Sequence, residues 1–119
     1  MAGESILRSI REYLRAVNAS GIHARRAILF GSHARGDAKP ESDIDIVVIA
    51  PEFDGRPDRG LFDRLWELRA STDARIEPIP CGEQEWERND SRMILEIARR
   101  EGEPVVWDSP SSDLPKMSL

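Results

Sequence analysis

A chain of 119 residues has room for one domain with a single modest core of two layers. Seventeen basic against 22 acidic residues give a formal charge of −5, which argues against a free-standing nucleic-acid binder, since such proteins present a basic face. Cys81 is the single cysteine, so an intramolecular disulfide is excluded, and neither a Cys/His zinc cluster, a secretory leader nor an apolar run near the roughly 20 residues of a membrane span is visible. A soluble cytoplasmic protein is the expectation.

In chain order, residues 4 to 20 read as an amphipathic helix, because Ile6, Leu7, Ile10, Tyr13, Leu14 and Val17 recur three and four apart on one stripe. Gly21 is placed to stop it in a left-handed cap. Ala27 to Phe30 is a short apolar run of the kind that makes a buried strand. Residues 31 to 42 are a Gly/Ser/Asp/Pro-rich loop with room for one helical turn. Ile44 to Ile49 is β-branched almost throughout and is the strongest strand.

A loop with Pro51, Gly55, Pro57 and Gly60 follows, then a second amphipathic helix over about 60 to 71 carrying Leu61, Phe62, Leu65, Trp66 and Leu68. Ala74 to Ile79 is a third strand, expected to be cut off by Pro78 and Pro80. Glu83 to Arg88 reads mostly as a solvated face. Asn89 or Asp90 can cap a last helix with Met93, Ile94, Ile97 and Ala98, which Gly102 ends, and Pro104 to Trp107 adds a short strand. The domain is expected over 1–107, with 108–119 as a disordered tail of prolines and serines. The fold class is α/β (α+β), a small mixed sheet flanked by helices.

Three short segments carry chemistry. Asp43 and Asp45 lie two apart on a strand, so their side chains leave one face while Ile44, Ile46 and Val48 point to the core. Two carboxylates so close repel each other unless a cation lies between them. Their hard oxygens suit Mg²⁺ or Mn²⁺, with substrate phosphates completing the shell. Gly31-Ser32 after a strand suits a phosphate cradle: glycine admits close backbone approach, and the following N–H groups with the Ser32 hydroxyl donate to an anion. Arg35 adds a charge-assisted contact to the same triphosphate, or else pairs with Asp37 or Glu41. Glu77 offers a third carboxylate from a neighbouring strand, leaving Ile76 for the core. A triphosphate, one or two metals and a third acid make a phosphoryl-transfer site.

Gly31-Ser32-His33-Ala34-Arg35-Gly36, six further residues, then Ser42-Asp43-Ile44-Asp45-Ile46-Val47-Val48 resembles the signature of the DNA polymerase beta nucleotidyltransferase superfamily, and most nearly its minimal nucleotidyltransferases. The resemblance covers about residues 26 to 80 by motif. It implies the palm-like mixed sheet and transfer of a nucleoside monophosphate, usually AMP from ATP, to a hydroxyl. It also implies that Asp43 and Asp45 bind the metal, Ser32 holds the terminal phosphates, and Glu77 is the third carboxylate. That third position is commonly Asp, so Glu77 brings an extra methylene and a different reach.

The resemblance further implies a partner. Minimal nucleotidyltransferases are often antitoxins paired with a small helical toxin of the HEPN type, in some cases adenylylating it. Without a partner, the acceptor on so short a chain is expected to be small or held in a homo-oligomer. The rival reading is a non-catalytic nucleotide- or partner-binding module that neutralises its partner by binding alone. Nucleotidyl transfer to an aminoglycoside-like hydroxyl is disfavoured because no acceptor-binding domain remains. Of the other distinctive residues, His33 reads as loop filling, His23 as a surface residue, Cys81 as an inert thiol and Trp66 as core, while Trp86 and Trp107 fit either a partner face or partial burial.

Overall fold

Residues 3–55, 58–88 and 92–107 are described by the computed structural model of the chain. The expected tail and the capping pair Asn89 and Asp90 lie outside them. Helix α1 spans Glu4–Ala19 and buries Ile6, Ile10, Tyr13, Leu14 and Val17, the stripe its periodicity predicts. The helix stops at Ser20, and Gly21 takes φ +105°, where other residues are strained. The Asn18 side chain donates to the Leu14 and Ala24 carbonyls and so steers the chain into β1, Arg26–Phe30.

A single helical turn, α2 (Ser32–Arg35), follows, and then β2 (Ile44–Ile49). Pro51–Phe53 makes a 3-10 turn before α3, Arg59–Ala70, which Asp58 caps by accepting from the Gly60 and Leu61 N–H groups. Strand β3 spans Ile76–Cys81, α4 Glu83–Arg88, α5 Met93–Glu101 and β4 Glu103–Val106.

The strands form one mixed sheet in the order β3-β2-β1-β4. β1 is antiparallel to both β2 and β4, and β2 is parallel to β3 because the chain crosses over through α3. On one face Leu29, Ile44, Ile46, Val48 and Ile76 pack with α1 and with Leu65 of α3. On the other, Ile28, Phe30, Val47, Ile49 and Cys81 pack with Leu95 and Ala98 of α5. Each such large aliphatic side chain, fully buried, contributes about 1.5–3 kcal/mol. The Tyr13 hydroxyl donates to the Leu65 carbonyl at 2.6 Å and ties α1 to α3 beneath the sheet. No helix among the described residues is long and apolar enough to cross a membrane.

Two expectations need correction. Pro78 and Pro80 do not end β3 but lie inside it. The strand is an edge, and the Arg75 and Cys81 carbonyls accept from Ile44 and Ala50 on the β2 side. Even-numbered residues therefore turn their nitrogens outward, where a missing N–H costs no ladder bond. Residues Glu83–Arg88 leave no side chain fully buried, in keeping with a mostly solvated face, and form a helix whose first turn Asp54 holds by accepting from the Gln84 and Glu85 N–H groups. Trp66 is 42% exposed and not core. Leu65 takes the inward position on α3, and the Arg69 guanidinium lies 4.6 Å above the outward-facing Trp66 ring.

Candidate active site

The sheet register assembles the site. Phe30, the last residue of β1, lies opposite Asp45, and Asp45 lies beside Glu77 on β3. The chain leaves β1 through Gly31, with φ +79° and ψ −154°, a conformation open in practice to glycine alone. A Cβ at Gly31 would collide with Asp45 Oδ2 and stand 3.3 Å from its Cγ. The turn glycine and the Asp45 carboxylate are therefore packed against each other, bringing the Gly31-Ser32 loop to the first acidic positions of β2.

Asp45 is half-buried and Asp43, one residue before β2, is exposed. Burial, then the carboxylates of Asp43 and Glu77, raise the Asp45 carboxyl above its ordinary range, while His33 and Arg35 pull it back. The three acids thus share one electrostatic neighbourhood. They are not drawn into a closed cage: among the described residues no three His, Cys, Asp or Glu side chains stand together as a metal site. Glu77 leans toward Arg69, whose Nη2 lies 3.9 Å from Glu77 Oε2 and donates to the Ala74 carbonyl. The donor chemistry fits a hard divalent cation bound by the aspartate pair with substrate phosphates supplying the remaining oxygens, since Mg²⁺ commonly takes one or two carboxylates.

The loop before Asp43 is pinned from two sides. His33 is 9% exposed, and its Nε2 lies 3.4 Å from the Ser42 carbonyl. Far from filling a loop, it bridges α2 to the residue before Asp43. Arg75 donates to the Pro40 carbonyl at 3.0 Å and to both oxygens of Asp73, holding that carboxyl down at about 2. Arg35 pairs with Asp37 at 3.3 Å, one of the two acids its sequence position suggests, and not with Glu41 among its observed partners.

Its second partner, Glu101, has no counterpart in the motif. Glu101 Oε2 accepts the Gly31 N–H at 3.1 Å and lies 3.4 Å from Arg35 Nη1. Sequence reasoning could not find it, since it stands 70 residues from Gly31 and arrives only because α5 packs across β1. Arg69 escaped because it reaches Glu77 only where α3 folds back beside β3. Cys81 is buried, and burial pushes its thiol up to about 12, so it is inert as expected. His23 is exposed and bonded to Glu52. Trp86 and Trp107 are both partly buried against the core, and Arg99 stacks 4.5 Å over the Trp86 ring.

A mixed sheet whose glycine turn meets the second of two aspartates at the start of the neighbouring strand is the arrangement of a nucleotidyl-transfer domain, and comparison with known proteins agrees. The profile described as "Nucleotidyltransferase domain" matches residues 7–99, and the chain belongs to that family. A Sulfolobus solfataricus protein assigned to the nucleotidyltransferases is similar in structure, with a TM-score of 0.53 and 27% identity over 71% of this chain and 73% of that one. A chain of a toxin–antitoxin crystal structure with AMP-PNP matches with a TM-score of 0.55 and 20% identity, over 91% of this chain and 84% of that one. A mutant of the toxin–antitoxin MntA-HpeT matches with a TM-score of 0.55, 18% identity and the same coverages. No curated protein matches.

Proposed function

We propose that the protein transfers a nucleoside monophosphate, AMP from ATP, to a hydroxyl on a partner protein, and that it acts as the antitoxin of a pair with a helical HEPN-type toxin. The observation that carries the chemistry is the contact of Gly31 with Asp45, beside Asp43 and Glu77. It sets a close-approach turn for phosphate against acids suited to a divalent cation. The partner is supported by the likeness of fold to chains from toxin–antitoxin complexes, one of them crystallised with AMP-PNP.

Asp43 and Asp45 would hold Mg²⁺ or Mn²⁺, with Glu77 as a third carboxylate. Such an ion would supply charge that eases deprotonation of the acceptor hydroxyl and balances the departing pyrophosphate. Ser32 donates its hydroxyl to the terminal phosphates and Arg35 adds a cationic contact. The acceptor oxygen bonds to the α-phosphorus as the bond from that phosphorus to the bridging oxygen breaks. Glu77 takes the hydroxyl proton, and pyrophosphate leaves. Burial around Asp45 lowers the local dielectric and strengthens these contacts.

The test is transfer of label to the co-expressed partner from ATP labelled at the α-phosphate, with γ-labelled ATP as control. Label from the first alone, lost in Asp43→Asn, supports the reading. An unlabelled but fully neutralised partner, equally neutralised by the Asp43→Asn, Asp45→Asn double variant, overturns it in favour of a binding module. The pairing of Glu77 with Arg69, which gives its carboxylate a partner without any metal, is the observation that favours that second reading.

A further inference from the structure

Glu101 is the last residue of α5, and one oxygen of its carboxylate meets two groups of the glycine loop. Oε2 accepts the Gly31 N–H at 3.1 Å and faces Arg35 Nη1 at 3.4 Å. Arg35 also faces Asp37 at 3.3 Å, so its single positive charge stands between two carboxylates. Under the proposed function an incoming triphosphate would draw on that charge. The link to Gly31 is made to the backbone and keeps Glu101 beside the loop whichever way Arg35 turns. The link to Arg35 is a long contact between partly exposed side chains, the kind that exchanges easily for a better anion.

From this geometry we propose that Glu101 is a residue of the nucleotide site that sets affinity by competing with the triphosphate for Arg35. In the free protein its carboxylate takes the place of an anion. On binding, the guanidinium turns to phosphate, and Glu101 stays on Gly31 as a fixed negative charge beside the polyanion. The C-terminal turn of α5 thereby tunes nucleotide affinity. Gly102 transmits that position, since a Cβ there would collide with the Ala98 carbonyl and with Ile28 of β1, leaving the turn no slack.

This inference rests on the nucleotide-binding reading, and the experiment separates the two. Calorimetric titration with a non-hydrolysable ATP analogue and Mg²⁺, and separately with adenosine, compares wild type, Glu101→Gln and Glu101→Ala. Glu101→Gln keeps an oxygen to accept the Gly31 N–H and removes only the charge, and thermal melts report whether either variant loosens the fold. The expected result is about three- to tenfold tighter binding of the ATP analogue by Glu101→Gln, narrowing at high salt, with adenosine affinity unchanged. Equal or weaker binding of the analogue by a folded Glu101→Gln, while wild type binds in an Asp43-dependent way, overturns the inference and leaves the site reading intact. A parallel gain for adenosine also overturns it, because competition for Arg35 acts on phosphates alone. Binding by Glu101→Gln where wild type shows none supports both, and no binding by any form removes both.

Discussion

Gly31 combines two constraints that a single methyl group would violate. Its φ of +79° with ψ near −154° costs a non-glycine residue about 1–3 kcal/mol, and the missing Cβ is the space that Asp45 fills. Gly31→Ala is therefore expected to lower the melting temperature and, by displacing Asp45, to abolish Mg²⁺-dependent nucleotide binding. A variant that melts and binds like wild type would show that the contact is not needed. Asp73 supplies a pH prediction. The Arg75 guanidinium and backbone N–H hold its carboxyl down at about 2, below its unfolded value of 3.8. A depressed carboxyl stabilises the fold above its unfolded value, and the benefit fades as pH falls toward 2. Asp73→Asn is expected to cost about 1 kcal/mol at neutral pH, since the pair is partly exposed. The difference in melting between variant and wild type should close on acidification to that range. A gap unchanged with pH would mean that charge on Asp73 does not matter.

Elements differ in how far their own residues announce them. α1 was legible because its apolar stripe from Ile6 to Val17 keeps a 3.6-residue period, and β2 because Ile44 to Ile49 is β-branched at every position but Asp45. α4 was not, because it buries no residue and its helix start is capped by Asp54 from about 30 positions away. Local pattern cannot report a cap supplied by a distant loop. Asp54→Ala is expected to cost about 0.5–2 kcal/mol and to speed hydrogen exchange at the Gln84 and Glu85 amides. Unchanged protection there would show that α4 holds without the cap. The prolines of β3 misled in the opposite way, since their effect depends on which edge of the sheet the strand occupies. Between elements, the Tyr13 hydroxyl bond to Leu65 is buried, so Tyr13→Phe should lower stability by about 1 kcal/mol in denaturant unfolding. No loss would mean that the α1–α3 contact is held by packing alone.

At the scale of the whole molecule, the sheet order converts a linear motif into a site. Gly31, Ser32, Arg35, Asp43 and Asp45 were readable as candidates because they lie within one strand–loop–strand passage. Glu77 joins them because the crossover through α3 returns the chain parallel to β2, with Glu77 in register with Asp45. Glu101 and Arg69 come from packing across the sheet and around its edge, and no spacing in the sequence encodes such contacts. The net result is an acidic cluster with Arg35 paired to Asp37 and Glu101, and under the proposed function a divalent cation would make room there for a polyanion. The most direct test is calorimetric titration of wild type and Asp43→Asn with non-hydrolysable ATP, in Mg²⁺ and in EDTA. Binding that requires both Mg²⁺ and Asp43 is expected. Binding indifferent to both, or none under any condition, would contradict a metal–triphosphate site built on Gly31 and Asp45.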